Sequence, residues 1–344
     1  MQERQIYVYE KALGEILSRD LYIHEKMLFM KKGTIINRYY LNKLQQQGIK
    51  KLWTYSDEAE VALHRKVLKT QVKKEYQKNT RGIKNIMQSI AGGEKLDFEE
   101  VKEIAQVILE GMERYSYVVD CMNELRSADE YTYNHSVNVS IYGMLLGKWI
   151  GLKNEDIINI VQAGLLHDIG KAKVPNEILN KNGKLTEKEF ALMKEHAKLG
   201  YEMVKDNKMI AEKVKAPVLS HHERLDGSGY PEKNQDPDLY TRIIAIADVY
   251  DALTSKRVYK KKKNPFETIK EMKSFGYEHF DTKLLMVFLE NITDYYIGSK
   301  VRMKNGEVGK IISVMKGNKP IIQIGQEYIQ LSSVEYDQIH EMIS

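Results

Sequence analysis

Hydrophobic and polar positions change their rhythm three times along the chain. In residues 1–55 the apolar runs are short: Ile6-Tyr7-Val8-Tyr9 and Met27-Leu28-Phe29-Met30 read as strands, the second closed by the turn signal Lys31-Lys32-Gly33. Asn37 is placed to cap a short helix ending at Gln47, with Gly48 as its left-handed stop, and residues 49–54 return as a strand. This predicts a small α/β module with no catalytic grouping. Residues 56–126 are densely charged and helical, broken at Gly92-Gly93. A second helix starts from a capping box, Asp97 with Glu100, and carries the stripe Phe98, Val101, Ala105, Ile108, Met112, Tyr115, Val119, Met122. Such a stripe is either the seam of a homodimer or a face laid on the chain's own core; its Ala and Tyr favour the second. Residues 127–296 are helix after helix. Residues 297–344 revert to short strands near 299–302, 307–315, 320–324 and 328–331, with Asn305-Gly306 as a hairpin signal between the first two. The expectation is a mainly α protein with a small α/β unit before the helical domain and a small β unit after it.

Composition narrows the class without choosing a function. At 344 residues, 42% hydrophobic and 29% charged, the chain can bury a real core and is neither disordered nor collagen-like. Lys+Arg 53 against Asp+Glu 48 leaves a net charge of +5, too mild to argue for a nucleic-acid polymer. One cysteine, Cys121, cannot form an internal disulfide. Glu3, Arg4, Glu10 and Lys11 interrupt the start of the chain, so no signal peptide is expected, and no run approaches the roughly 20 apolar residues of a membrane helix. A cytoplasmic protein is the expectation.

The chemistry is carried by histidines. Five of the nine fall between 135 and 222: His135, His167, His196, His221 and His222. His167-Asp168 ends the apolar run Ala163-Gly164-Leu165-Leu166, and Asp248 sits in the apolar helix Ile243-Ile244-Ala245-Ile246-Ala247. A carboxylate in such a setting needs a cation or a metal. His221 and His222 are adjacent, and neighbours on a helix point about 100° apart, so both rings reach one point only at a helix end or across two ions. Seven imidazole and carboxylate candidates exceed the four or so ligands one ion takes from protein. They suit two ions about 3.5 to 4 Å apart sharing one carboxylate. Without thiolate, a structural zinc site is disfavoured and Fe, Mn or Zn remain.

These blocks carry a resemblance. Tyr131-Thr132-Tyr133-Asn134-His135-Ser136, Leu165 through Lys171, His196-Ala197-Lys198-Leu199-Gly200, His221 through Pro231 and Ala247 through Tyr259 stand in the order and spacing of the HD-GYP subgroup of HD metal-dependent phosphohydrolases. Pro175-Asn176-Glu177-Ile178-Leu179 and Gly183-Lys184-Leu185-Thr186 also match, and Gly229-Tyr230-Pro231 is intact. The resemblance covers about half of the chain, residues 127–296. It implies an all-helical catalytic domain that hydrolyses cyclic di-GMP to pGpG and, in many members, onward to GMP. By the same resemblance, His135, His167, Asp168 and Asp248 would hold one divalent ion and Asp168, His196, His221 and His222 the other, Fe or Mn before Zn. A hydroxide shared by the two cations would attack phosphorus. Lys171, three residues past Asp168, is placed to meet the charge that develops, and Arg257 and Lys260 fall where the family contacts phosphate. Lys261, Lys262 and Lys263 read as a solvated helix end.

The glycines of residues 224–231 read as a rigid turn, with Arg224 and Asp226 able to orient ligands. That loop is also where the family resemblance implies contact with partners such as diguanylate cyclase domains. The sequence departs from the pattern at Tyr131, where some members carry a Glu that supports a third metal; Glu130 is adjacent but on another helix face. Two metals are therefore expected, with slow second cleavage. Lys256, Val258 and Ala197 replace Asp, Pro and Pro at side positions. Two other readings stand beside the phosphodiesterase: an HD hydrolase of another nucleotide or cyclic dinucleotide, and a binding module without turnover.

Overall fold

A computed structural model describes the chain apart from residues 1, 10–11, 24–26, 37, 113–118, 120–121, 123–130, 182, 256–263 and 344, and apart from the side chains of 58–60, 64–65, 112 and 131. By internal contact it divides into two units: residues 1–75, 110–125 and 289–344 in one, and 76–109 with 126–288 in the other. The fold is mainly α. Among the described residues no helix is long and apolar enough to cross a membrane.

In the first unit, β1 (Glu3–Tyr7) pairs antiparallel with β4 (Lys51–Tyr55), and β2 (Leu21–Ile23) with β3 (Met27–Met30). Helix α1 (Arg38–Gln46) turns Leu41 and Leu44, three apart and so on one face, into a cluster with Val8, Leu17, Met30, Ile36 and Leu52. Gly48, at φ +68°, follows the helix as the sequence predicts. The C-terminal part is a five-stranded antiparallel sheet in the order β8-β7-β6-β5-β9, from β5 (Lys300–Met303), β6 (Val308–Met315), β7 (Lys319–Ile324), β8 (Glu327–Gln330) and β9 (Ile339–Ile343). Asn305-Gly306 falls between β5 and β6 as expected. A bulge between Ile311 and Ser313 breaks the two-residue alternation of β6, so that Ile311 and Val314 both face inward. Strands β2 and β9 were not anticipated.

The second unit is helical. The boundary between units falls within α2 (Glu58–Ala91), 34 residues long, followed by α3 (Phe98–Met112). Asp97 caps α3 through the Glu99 N–H at 3.0 Å rather than through Glu100. Phe98, Val101, Ala105 and Ile108 are buried within the single chain, as a helix laid on its own core requires. The site is built from α4 (Tyr131–Trp149), α5 (Asn154–Leu166), a 3-10 turn (Ile169–Lys173), α6 (Asn176–Leu179), α7 (Glu187–Lys194), α8 (His196–Val204), α9 (Glu212–Ser220) and α10 (Leu239–Thr254), with α11 (Pro265–His279) and α12 (Thr282–Ile292) closing the core. Tyr142, Tyr250 and Phe288 meet edge to face at ring separations of 5.0 to 6.0 Å and tie α4, α10 and α12 together.

Two glycines permit the backbones to close on the site. A Cβ on Gly164 would lie 2.5 Å from Ser140 Cα, so α5 can reach α4 only without a side chain there. A Cβ on Gly170 would lie 1.9 Å from the His196 carbonyl oxygen, so the turn after His167-Asp168 packs backbone to backbone on α8. The first contact brings His167 to His135; the second brings His196 to Asp168.

Candidate metal centre

All seven ligand candidates come from helix interiors or ends that point at one place. His135 lies in the first turns of α4, His167 caps the end of α5 with Asp168 next to it, and His196 opens α8. His221 caps the end of α9 with His222 beyond it, and Asp248 lies within α10. The helix end at Ser220 is what lets two adjacent histidines converge, with ring centroids 4.1 Å apart.

Ring orientation follows from the outer nitrogen. His167 Nδ1 is 2.7 Å from the Gly164 carbonyl, His196 Nδ1 2.7 Å from the Met193 carbonyl, and His221 Nδ1 2.9 Å from the Pro217 carbonyl. A carbonyl can only accept, so each Nδ1 must be the N–H, and in a neutral ring the inward Nε2 is a lone pair. The His196 and His221 lone pairs face each other with Nε2 atoms 3.3 Å apart, and the His167 lone pair faces His135 Nε2 at 3.3 Å. Such facing acceptors call for a cation or a proton between them.

Asp168 joins the two sets. Its Oδ2 lies 3.5 Å from His135 Nε2 and 3.3 Å from His167 Nε2, while Oδ1 lies 3.3 Å from His196 Nε2 and 3.8 Å from His221 Nε2. Two groups result that could hold a metal ion, His135/His167/Asp168 and His196/His221/His222. Asp248 stands across them, Oδ1 at 3.0 Å from His135 Nε2 and Oδ2 at 3.9 Å from His222 Nδ1. Oδ1 of Asp168 is buried and has no hydrogen-bond partner among the described residues. A buried carboxylate oxygen left without a donor is costly, and a cation is the partner its neighbours, all nitrogen lone pairs, are suited to share. The donor set, imidazole and carboxylate, fits a first-row divalent ion.

The electrostatics of the metal-free cluster agree. Burial would raise Asp168, yet the Lys171 ammonium beside it holds it well below the usual carboxylate range. Burial would raise Asp248 as well, and His135 reverses it. Burial depresses His196, His221 and His222, the last to about 3, so these rings are neutral and free to ligate. His135 is the exception: burial lowers it, but hydrogen bonds and charge from Asp248 and Asp251 outweigh that and push it up to about 9. In the metal-free protein a proton on His135 thus stands where an ion would.

Lys171 Nζ is 2.5 Å from Asp168 Oδ2, and its side chain is 19% exposed where His135 and His167 are 3% or less. It therefore pairs with the buried carboxylate while staying partly exposed to solvent itself. Arg257 and Lys260 lie outside the described residues, as do Glu130 and the side chain of Tyr131. Among the described residues Arg224 and Asp226 form no hydrogen bond or ion pair with a ligand side chain, although the charge of Asp248 acts on Arg224. Arg224 donates to the backbone carbonyls of Glu223 and His221, and Asp226 pairs with His279 at 3.1 Å and accepts from Ser228.

Three contributors escaped the sequence reading. Asp251, fully buried one turn after Asp248, accepts from His135 Nδ1 at 2.7 Å. Its signal was present, a second acid three residues on in an apolar helix. Glu223 is buried and accepts the N–H groups of Glu232 and Asn234, at 2.7 and 3.0 Å, which closes the loop after the histidine pair. Tyr230 stacks on His222, centroids 4.5 Å apart and planes at 26°.

Comparison with known proteins bears on this arrangement. The family model described as "HD domain" matches residues 121–284. A cyclic di-GMP phosphodiesterase of Pseudomonas aeruginosa is 36% identical over 222 residues, covering 64% of this chain and 53% of its own length. A 3'3'-cGAMP-specific phosphodiesterase of Vibrio cholerae is 35% identical over 181 residues, covering 52% of this chain and 35% of its own. The chain thus spans about half or less of these curated relatives. Among solved structures, an HDG"Y"P protein from Bdellovibrio bacteriovorus superposes with a TM-score of 0.54 at 15% identity, covering 85% of this chain and 99% of that one, a likeness of fold. The helical fold, with His167-Asp168 at its centre, is that of an HD-domain protein. Residues 121–284 are thus similar to the HD domain, with Gly229-Tyr230-Pro231 standing directly after the histidine pair.

Proposed function

We propose that this protein is a metal-dependent phosphodiesterase that opens cyclic di-GMP to linear pGpG, with slower conversion to GMP. The observation that carries the reading is Asp168, which offers one oxygen to each of two imidazole groups and leaves its buried Oδ1 without a hydrogen-bond donor among the described residues. His135, His167, Asp168 and Asp248 would hold one divalent ion, and Asp168, His196, His221 and His222 a second, Fe or Mn before Zn. Bound there, the ions supply an acidified water and positive charge toward a phosphodiester.

The chain's own groups do the rest. The carbonyls of Gly164, Met193 and Pro217 hold three Nδ1–H groups outward, so the Nε2 atoms need no reorientation before binding. Burial of the histidines excludes bulk water and strengthens every charge interaction in the site. Hydrolysis adds water across one ester bond: the bond from phosphorus to the 3'-oxygen breaks and that oxygen takes up a proton. Lys171, paired with Asp168 and partly exposed, is proposed to meet the charge that builds on the phosphoryl oxygens. Arg257 and Lys260 are proposed as further phosphate contacts. The Vibrio relative named for cGAMP supports a second reading, in which the substrate is a mixed cyclic dinucleotide. A cytoplasmic setting, a possible homodimer and contact of the 224–231 loop with diguanylate cyclase domains belong to the same proposal.

The test is direct. Protein purified without oxygen is supplied in turn with Fe(II) and Mn(II), incubated with cyclic di-GMP and with 3'3'-cGAMP, and the nucleotides separated over time. Appearance of pGpG, abolished in Asp168→Ala, is the expected result. Faster cleavage of cGAMP moves the substrate to the second reading. Binding without turnover in metal-loaded protein overturns the enzyme.

A further inference from the structure

We propose that Tyr76 and Thr80 of helix α2 are positioning residues for His135, so that the grip of α2 on α4 sets how tightly an ion beside His135 is held. The inference rests on the metal reading above and extends it to a helix far away in sequence. Tyr76 and Thr80 are one turn apart on α2; Asn134 and Asn138 are one turn apart on α4, on either side of His135. The two pairs meet. Tyr76 Oη donates to Asn138 Oδ1 at 2.8 Å and lies 3.5 Å from the Asn134 carbonyl, and Thr80 Oγ1 donates to Asn134 Oδ1 at 3.1 Å. All four side chains are buried, at 1 to 5% exposure, so these are desolvated hydrogen bonds between otherwise apolar helix faces.

The donors converge on Asp251 from both sides. With its oxygen engaged by the phenol, Asn138 turns its amide N–H to Asp251 Oδ1 at 2.9 Å. Asp251 then keeps Oδ2 for His135 Nδ1 at 2.7 Å, with the Ser255 hydroxyl on the same oxygen at 3.1 Å. A flipped Asn138 would set its carbonyl against the carboxylate, so the phenol and Asp251 fix one orientation between them. His135, unlike His167, His196 and His221, anchors its outer nitrogen on a side chain and not on its own helix backbone. Its aim therefore depends on a partner that can itself be moved, and that partner is held through Asn138 from α2.

Metal-free protein is titrated with Mn(II), reading free Mn(II) by its paramagnetic resonance signal. In Tyr76→Phe, which keeps the ring and removes the hydroxyl, one of the two Mn(II) affinities is expected to fall on the order of tenfold while the other is unchanged. Thr80→Val is the second variant and should weaken the same ion. Asp251→Asn should weaken it more, and adding Tyr76→Phe in that background should change it less than twofold. A role confined to stability would lower the melting temperature and leave both affinities in place, which overturns the proposal. So does an unabated tenfold effect of Tyr76→Phe on top of Asp251→Asn, because the coupling would then bypass Asp251. Wild-type protein that takes up no ion overturns the metal reading itself, a different result from equal uptake by wild type and variant.

Discussion

The protonated His135 of the metal-free protein makes a prediction that no other histidine of the site makes. Its value is pushed up to about 9, against an ordinary value of 6.5 in an unfolded chain. A group whose folded value is raised contributes stability that is fully present below about 6.5 and is lost as pH rises through about 9. Two and a half pH units correspond to on the order of 3 kcal/mol across that window. His196, His221 and His222 are depressed, so their contribution is lost as pH falls below 6.5 and is constant above it. Metal-free protein should therefore be most stable near pH 6.5 to 7 and weaken by on the order of 3 kcal/mol toward pH 9. The chain has two tryptophans, and in a Trp53→Phe background Trp149, on α4, reports the unit that carries the site. Urea unfolding followed by its fluorescence from pH 6 to 9.5, with chelator and then with Mn(II), measures the effect. The alkaline loss should shrink when Mn(II) replaces the proton, and also in Asp251→Asn, which removes one of the two carboxylates that hold it. A metal-free stability that is flat from pH 6.5 to 9 would refute the protonated His135 and the argument built on it.

Other outcomes follow from the same geometry. Asp168→Ala removes an oxygen from both groups and should lose both ions and all turnover, read by elemental analysis beside nucleotide separation. Lys171→Ala should retain the ions and lower kcat on the order of 10²-fold; full-rate cleavage would remove Lys171 from the reaction. Gly170→Ala sets a Cβ 1.9 Å from the His196 carbonyl and should cost about 1 to 3 kcal/mol or more, with loss of metal uptake at the His196 group. With Tyr131 in place of a third-metal carboxylate, pGpG should accumulate before GMP; equal rates for the two cleavages, or three metals per chain, would count against that expectation.

Much of the site was readable before any fold was known. Acids and imidazoles in runs such as Leu165-Leu166-His167-Asp168 and Ala247-Asp248 conflict with their apolar surroundings, and that conflict is local, so it shows in one dimension. The hairpin at Asn305-Gly306 and the stop at Gly48 were legible for the same reason, since a turn is decided by the residues in it. Strand β9 was not: its exposed His340 and Glu341 give little alternation, and it exists as a strand because β5 lies beside it, some 40 residues earlier in the chain.

What the sequence determined by itself was the inventory: a helical domain, seven ligand-type side chains in a spacing too rich for one ion, and a lysine one turn from the central acid. What the tertiary structure decided was which atom each group presents. Asp168 divides its two oxygens between separate histidine sets because Gly164 and Gly170 let three backbones close to contact. Asp251 becomes the anchor of His135, and Tyr76 the anchor of Asn138, across separations of 116 and 62 residues. A hydrogen bond depends on distances of tenths of an ångström between groups that no local periodicity relates, so these partners are set by packing alone.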